Sequence, residues 1–218
     1  MFIGHFAVAL AAKKVAPKTS LGTLMLSTGF VDVLWPFFVM FGWEHVRIDP
    51  GNTAFTPLDF YDYPWTHSLV AGVFWAAVFG GIYYAFKRYG RGALVVAVGV
   101  LSHWVLDFVT HRPDMPLLPI GGPKVGLGLW NSVPATLAVE IPMFIAGIWI
   151  YTRVTRSRDR IGTWGFAGFR ALMFLMYLGN TFGPPPPDTT AIAIFGPVSL
   201  ALFAIPYWVD RHRTTVKR

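Results

Sequence analysis

The chain has 218 residues, of which 54% are hydrophobic and only 13% are charged, about half the roughly 25% found in soluble domains. This composition indicates an integral membrane protein. Cysteine is absent, which excludes disulfides and thiolate metal ligands. The excess of basic residues lies in short runs beside apolar segments and in no nucleic-acid motif, so we predict no nucleic-acid partner.

The first half of the chain predicts a half-crossing N-terminal helix followed by three full spans. The opening stretch, MFIGHFAVALAAKK, lacks the basic start of a secretory signal and is kept as part of the mature protein. Apolar segments at about 21–43, 67–86 and 92–110 are the three spans. The second and third form a tight hairpin, and an acidic, turn-rich loop at 44–66 precedes them.

The second half predicts three further spans, at about 130–151, 161–182 and 190–209. A Gly/Pro-rich loop at 111–129 precedes them, and the connector GPPPPD separates the last two. The fold class is therefore all-α: a polytopic helical membrane protein with about six transmembrane helices plus the N-terminal half-helix. We expect one integral membrane domain over residues 1–218, with metal-site motifs within 1–140 and helical C-terminal spans within 161–209.

The basic runs predict how the spans are oriented. Runs at 13–18, 87–91, 153–160 and 211–218 fall on one side of the membrane if each of the six spans crosses it once. Because cytoplasmic loops carry an excess of Lys and Arg, we expect a multi-pass protein of the inner (cytoplasmic) membrane, surrounded by membrane lipid, with its C-terminus in the cytoplasm.

The stretch LSHWVLDFVTHRPD, residues 101–114, places ionisable side chains inside an apolar span. His103, Asp107 and His111 are spaced by four residues and lie on one face of a helix. Imidazole and carboxylate are ligands that zinc, manganese or iron prefer. His103 and Asp107 can share one ion, whereas His111 is about 12 Å along the axis from His103. Either Asp107 bridges two metals or the helix loosens near His111, and we favour at least two metals.

Other ionisable residues reach a similar depth. Counted from the basic anchors at about 1.5 Å per residue, His5, Asp32, His67 and Glu140 also fall in the middle or outer half of the bilayer. Taken singly, each has a structural explanation: a packing histidine, a cap at a broken helix, an interfacial residue or a proton path. Together they require compensation, since a charge at the bilayer centre costs about 2.5–3.5 kcal/mol, and divalent cations would supply it.

Four short motifs carry a resemblance to a known family. They are Gly4-His5, a Gly-containing stretch closed by Asp32, Thr66-His67-Ser68-Leu69, and an SHxxxDxxT block over 102–110. Over roughly its first 115 residues the chain resembles the membrane-bound metal-dependent hydrolase family, which includes the LexA-binding inner-membrane hydrolases.

The order of these residues is also similar to that in the zinc-dependent phospholipase C and single-strand nuclease fold. That fold is all-helical, binds a cluster of zinc ions and hydrolyses phosphodiesters. The soluble enzymes of this fold also use their mature N-terminal residue and an HxxxE pair as ligands. Here the position four before Glu140 is Thr136 rather than a histidine, so the last pair is incomplete. The resemblance implies the following metal ligands: His5, Asp32, His67, His103, Asp107, His111 and Glu140.

These observations favour a membrane-embedded metal-dependent hydrolase that uses two or more divalent ions, with zinc as the expected metal. Its substrate would be a phosphoester or ester, with a lipid as one option, at the extracytoplasmic face. Asp32 and Glu140 are the catalytic candidates, and Asp32 could bridge metals or act as a general base. Three hydroxyls could orient the imidazole N–H groups: Thr66, Ser68 and Ser102.

Two other functions stay open on the sequence. The first is a non-catalytic membrane subunit that binds haem or chlorophyll through its histidines, or only packs against a partner in a larger complex; clustered carboxylates argue against an axial tetrapyrrole ligand. The second is a metal or proton transporter, which would need a polar exit through the inner halves of the spans.

Overall fold

Long apolar runs in a bilayer satisfy their backbone hydrogen bonds as helices, and the computed structural model, which describes residues 1–216, follows this rule. The helices are α1 Ile3–Ala12, α2 Leu21–Thr28, α3 Phe30–Met40, α4 Pro64–His67, α5 Leu69–Lys87, α6 Gly90–Thr110, α7 Val133–Val154, α8 Arg160–Phe182, α9 Thr189–Leu202 and α10 Ala204–Arg211. A 3-10 turn, Leu129–Asn131, precedes α7.

Five of these elements are long and apolar enough to cross a membrane, counting α9 and α10 together, and the pair α2 and α3 makes a sixth. The prediction of an all-α membrane protein with about six spans and an N-terminal half-helix is confirmed. The first span is bent by 55° between α2 and α3, at Gly29. Pro36 lies inside α3 without ending it.

The short helix α1 occupies the interior of the bundle. It packs mainly on α7, and also on α2 and α6. Gly147 permits the close approach of α7, because a Cβ atom at this position would lie 2.6 Å from the Ala7 carbonyl oxygen. Since His5 is on α1, this packing sets the position of the first candidate ligand.

The loops form three antiparallel two-stranded ribbons. These are β1 His45–Ile48 with β2 Leu58–Asp62, β3 Met115–Pro116 with β4 Lys124–Val125, and β5 Thr155–Ser157 with β6 Arg213–Thr215. The acidic loop at 44–66 is therefore an ordered hairpin. Its Asp59 binds Arg112, which follows α6.

The predicted basic runs meet at one end of the bundle. Lys13 Nζ lies 2.6 Å from the Asp210 carboxylate, and Arg213 donates from Nε to Thr155 Oγ1 at 3.1 Å. The hairpin β1–β2 and the loop after α6 lie at the opposite end. We call these the basic end and the outer end. Their separation agrees with alternating passage of six spans.

Several helices begin at residues that cap free N–H groups, as expected for Ser and Asp. The side chain of each cap accepts a hydrogen bond from the backbone three residues later: Ser20, Ser68, Ser132, Asp159 and Asp188. Hydrogen bonds from His212 and from the Gly162 N–H lower the pKa of Asp159. These caps fix where the spans begin.

Candidate functional site

Six ionisable side chains from four helices, or from the residue that directly follows one, meet near the outer end. We call them the His/Asp cluster: His5, Asp32, His67, His103, Asp107 and His111. Two overlapping triplets have ligand atoms that all lie within 4.8 Å of one another: His5 with His103 and Asp107, and Asp32 with His67 and His103. His103 belongs to both triplets and links them.

Asp107 is the buried centre of the first triplet, with 4% of its side chain exposed. Its Oδ2 atom lies 3.0 Å from His103 Nε2 and 3.9 Å from His111 Nε2, and its Oδ1 atom lies 3.0 Å from His5 Nε2. The helix α6 ends at Thr110, and His111 follows in an extended conformation. The chain therefore leaves helical geometry where the sequence allowed it to loosen, and His111 approaches Asp107.

Asp32 is the accessible carboxylate of the cluster. Its Oδ1 atom lies 3.4 Å from both His67 Nε2 and His103 Nε2, yet 51% of its side chain is exposed. The residue sits in the first turn of α3, directly after the bend at Gly29. That bend turns the start of α3 toward α6, so the carboxylate faces both His103 and a cavity.

The orientation of the His103 ring is fixed by the backbone of α2. His103 Nδ1 lies 2.7 Å from the Thr28 carbonyl oxygen, which can only accept a hydrogen bond, so Nδ1 carries the proton. Thr28 ends α2, where carbonyls lack intrahelical partners. Nε2 then points to Asp32 and Asp107, but no hydrogen bond to either carboxylate has suitable geometry within residues 1–216.

His67 is fixed in a similar way by two polar partners. Thr66 Oγ1 donates to the Glu44 carboxylate at 2.7 Å, and it therefore accepts from His67 Nδ1, also at 2.7 Å. Glu44 is fully buried. Burial raises the pKa of Glu44, and its hydrogen bonds with Thr66 oppose that shift. This relay leaves His67 Nε2 directed at Asp32.

His111 is held by the turn that follows it. His111 Nδ1 donates to Asp114 Oδ1 at 3.0 Å, and Tyr63 donates to the same oxygen at 3.2 Å. Burial and the charge of Asp114 raise the pKa of Tyr63. Arg112 also binds Asp114, at 3.2 Å. Three histidines thus share one pattern, with Nδ1 on an acceptor and Nε2 toward a carboxylate.

Glu140 has a different environment from the one predicted. Its Oε2 atom accepts hydrogen bonds from the backbone N–H groups of Phe2 and Gly4, at 2.9 and 3.0 Å, while Oε1 has no hydrogen-bond partner within residues 1–216. It belongs to neither triplet, because its carboxylate caps the free N–H groups at the start of α1. The amino group of Met1 donates to Asp107 and to Thr110 at 3.1 Å, so one cation faces Asp107.

Two of the three predicted orienting hydroxyls do not contact a histidine. Ser68 caps α5 and accepts from Ala71 N–H, and Ser102 donates within its own helix to the Gly99 carbonyl at 2.7 Å. Both serines bond the backbone for the same reason: a serine at the start of a helix, or within one, has a backbone partner close by. Of the three predicted hydroxyls, that of Thr66 contacts a ring nitrogen, His67 Nδ1.

Three partners of the histidines were missed by the sequence analysis: Glu44, Asp114 and the Thr28 carbonyl. Asp114 had a usable signal, since it follows His111 by three residues at the end of a helix. Glu44 was assigned to the acidic, turn-rich loop at 44–66, and no local pattern distinguishes it from its neighbours. A backbone carbonyl leaves no mark in the sequence.

Two adjacent cavities open onto the cluster and share Asp32, Phe2 and Phe195 as lining residues. The larger, of about 370 Å³, lies at the outer end and includes His67, Asp107 and His111 in its wall. The smaller, of about 90 Å³, is lined mainly by apolar side chains of α1, α3, α8 and α9: Phe6, Val33, Phe169, Met173 and Leu202 among them. The cluster therefore stands between a larger chamber, whose otherwise mostly apolar wall includes the cluster's carboxylates and imidazoles, and a smaller apolar slot.

A known protein family matches more than half of the chain. Residues 64–182 match the model of the YdjM inner membrane protein family. The match includes His67, His103, Asp107 and His111, and it begins after His5 and Asp32. No curated protein matches the chain, and no solved structure does.

Proposed function

The chain belongs to the YdjM inner membrane protein family, and we propose that this multi-pass inner membrane protein is a metal-dependent hydrolase. Its His/Asp cluster would bind two or more divalent ions, with zinc as the expected metal, and would cleave a phosphoester or ester at the extracytoplasmic face. One observation carries the proposal: three histidines have Nδ1 fixed on acceptors and Nε2 directed at carboxylates. Metal-binding histidines show this arrangement, because the outer hydrogen bond sets the tautomer.

The distances in the cluster fit a metal site. Zinc bonds to imidazole nitrogen and carboxylate oxygen are about 2.0–2.2 Å long, so two tetrahedral ligands are roughly 3.3 Å apart. His67 and His103 both have Nε2 at 3.4 Å from Asp32 Oδ1. His103 Nε2 is also buried without a hydrogen bond inside residues 1–216. A shared cation would satisfy this nitrogen.

Charge supports the same conclusion. Asp32, Asp107 and Glu140 bring three carboxylates to one region of the bundle, and the amino group of Met1 forms an ion pair with one of them, Asp107. The Glu140 charge is partly compensated by the N-terminus of α1. Asp32 and Asp107 keep an excess of negative charge in the span region, which a divalent cation would neutralise.

The chain's own residues suggest a division of roles. Bound zinc would supply Lewis-acid chemistry for activating water and the substrate oxygen. Asp32 faces the chamber, so its carboxylate is placed to accept a proton from water. Asp107 is enclosed and would hold the ligands together. Glu140 lines neither cavity, so we assign it the positioning of α1 and His5 in place of the predicted catalytic role.

The two cavities suggest an amphiphilic substrate. A phosphoester group would lie in the chamber beside Asp32 and His67, and one end of an acyl chain would enter the apolar slot. The helices α8 and α9 follow each other in the chain but make little contact with each other. The space between them would give a lipid access to the slot. A phospholipid of the outer leaflet is therefore the substrate class that the shape favours.

The geometry does not favour the alternative functions. The His67 and His103 Nε2 atoms each lie 3.0–3.4 Å from the Asp32 or Asp107 carboxylate, and clustered carboxylates argue against an axial tetrapyrrole ligand. A transporter would need a polar route from the cluster to the basic end. The interior on that side is instead filled by apolar side chains, including Leu10, Leu24, Met25 and Val96.

The test is hydrolysis by the purified, zinc-loaded protein of a water-soluble phosphodiester, bis(4-nitrophenyl) phosphate, and of phosphatidylglycerol. We expect Asp32→Asn to lower the rate by about 10²- to 10⁴-fold, as loss of a general base does. Asp62→Asn, at an exposed site in β2, is the control and should keep full activity. Equal rates for the Asp32→Asn and parent proteins would overturn the assignment of Asp32, and inactivity of the zinc-loaded parent toward both substrates would overturn the proposed function.

A further inference from the structure

The basic end of the bundle contains another cavity, apart from the two that open onto the His/Asp cluster. It has a volume of about 630 Å³ and lies where the end of α1, the end of α7 and the strand β6 meet. Its basic lining residues are Lys13, Lys14 and Arg153, and its apolar ones include Trp149, Ile150 and Val154. Its wall is thus cationic in one part and apolar in another.

The cationic part has unbalanced charge. Among the described residues no Asp or Glu lines this cavity. The nearest acid, Asp210, is already bound by Lys13 at 2.6 Å and by the Tyr151 hydroxyl at 2.6 Å. Lys14 and Arg153 are exposed, and within residues 1–216 they form no ion pair with a carboxylate. An anion in the cavity would meet two positive charges.

The apolar part lies on the last turns of α7. Trp149 is 57% exposed, and the Arg153 guanidinium lies over its ring at 5.4 Å. The pair is spaced by four residues, so both side chains project from one face of the helix. Trp is enriched at headgroup depth in membrane proteins, and the guanidinium beside it marks the boundary between headgroups and acyl chains.

The walls are held in place before any ligand binds. Lys13 Nζ also donates to the Thr19 carbonyl at 2.8 Å, which closes the loop after α1. Antiparallel pairing of β5 with β6 fixes the chain beside α7. A rigid, preformed cavity loses little entropy when it binds a ligand.

We propose that this cavity binds an anionic phospholipid of the adjacent leaflet. Its phosphate would contact Lys14 and Arg153, and its acyl chain would run along Trp149, Ile150 and Val154. Basic pockets between transmembrane helices bind anionic headgroups in this way. Free phosphate would satisfy the two cations but would leave the apolar wall uncovered, so a lipid fits the whole cavity better. This site is independent of the hydrolase proposal.

The test measures lipid binding to the full-length protein by native mass spectrometry and by thermal shift in detergent. Phosphatidylglycerol should bind more tightly than phosphatidylcholine. The double variant Lys14→Ala/Arg153→Ala should lose about 10- to 30-fold in affinity for phosphatidylglycerol, since each basic residue near an anionic lipid contributes about 1 kcal/mol. The matched control, Lys87→Ala/Arg91→Ala, removes two exposed charges from the same end outside the cavity and should bind as the parent does.

A third variant separates a lipid site from a phosphate site. Trp149→Ala should weaken binding of long-chain phosphatidylglycerol and leave the effect of inorganic phosphate unchanged. The proposal fails if the control pair loses as much affinity as the cavity pair. It also fails if phosphatidylcholine binds equally well, or if inorganic phosphate displaces the lipid at similar concentration. Circular dichroism of each variant establishes that a loss of binding is not a loss of fold.

Discussion

Three histidines, on α4, on α6 and directly after α6, direct Nε2 toward a carboxylate. In each of them Nδ1 is fixed by a hydrogen bond to an outer partner. His67 depends on Thr66, His103 on the Thr28 carbonyl and His111 on Asp114. An imidazole with a free Nδ1 could rotate or change tautomer, and its Nε2 would no longer be held toward Asp32 or Asp107. We therefore expect metal binding at the proposed site to depend on these outer partners.

The hydroxyl of Thr66 offers a direct test of this dependence. Thr66→Val keeps the shape of the side chain and removes the group between Glu44 and His67. We expect zinc affinity to fall by about 10- to 100-fold, the usual effect of losing an outer hydrogen bond at a metal site. Competition with a chelating dye measures it.

Two further variants show whether the hydroxyl itself is responsible. Thr66→Ser should restore the affinity, because it retains the hydroxyl. Thr152→Val removes an exposed threonine hydroxyl on α7 that bonds only its own helix and should leave zinc binding unchanged. Parent-like affinity in Thr66→Val would show that His67 does not need its relay.

For single residues, the sequence predicted which histidines and aspartates meet better than it predicted their hydrogen-bond partners. Spacing by four residues inside an apolar run identified His103 and Asp107, because ionisable groups in a span need a polar partner. Glu44 and the Thr28 carbonyl act through tertiary structure alone. Glu140 was predicted as a ligand from the family resemblance and its depth in the bilayer, and neither can show that a carboxylate caps a neighbouring helix.

The full span α6 carries His103 and Asp107, and short helices position other members of the cluster. The helix α1 carries His5, and the bend between α2 and α3 presents both the Thr28 carbonyl and Asp32. Composition predicted that a half-helix and a first span exist. It did not predict the bend at Gly29. Pro36 lies inside α3 without ending it, because a proline inside an apolar helix can be accommodated by its neighbours.

Gly147 tests the role of α1 as a positioning element. Gly147→Ala would place a Cβ atom 2.6 Å from the Ala7 carbonyl oxygen and 2.8 Å from the Ala7 Cα atom. Both are backbone atoms, so α1 must move. We expect a loss of about 1–3 kcal/mol in the free energy of unfolding and a lower zinc content as His5 is displaced. Denaturant unfolding in detergent and elemental analysis measure the two effects.

The control is a glycine in open space. A Cβ atom added at Gly168, in α8, would meet no neighbouring atom within 4 Å, so Gly168→Ala should be neutral or stabilising by up to about 1 kcal/mol through helix propensity. If Gly147→Ala is as stable as Gly168→Ala, the packing of α1 on α7 does not depend on this contact.

The whole molecule has an asymmetric distribution of charge. Its basic runs gather at one end, and its acidic hairpin and histidine-bearing loops gather at the other. The positive-inside rule then predicts that the basic end faces the cytoplasm. Alternation of spans could be predicted from the sequence because charge and hydropathy are local properties. The convergence of α1, α3, α4 and α6 on one cluster required the tertiary fold.

Cysteine labelling tests this orientation without a background signal, because the chain has no cysteine of its own. Ile120→Cys lies in the loop after α6 at a residue that is 80% exposed, and Thr214→Cys lies in the exposed strand β6. In intact cells an impermeant maleimide should label Ile120→Cys and should reach Thr214→Cys only after permeabilisation. The reverse pattern would place the His/Asp cluster near the cytoplasm.

The most direct test of the central claim is the metal content of the purified protein, measured by elemental analysis and read beside its absorption spectrum. We predict at least about two zinc ions per chain and no Soret band. Asp107→Asn should lose the metal and keep its helical circular dichroism, while Asp62→Asn should keep both. Full metal occupancy in Asp107→Asn, or a Soret band without a divalent metal in the parent protein, would contradict the account.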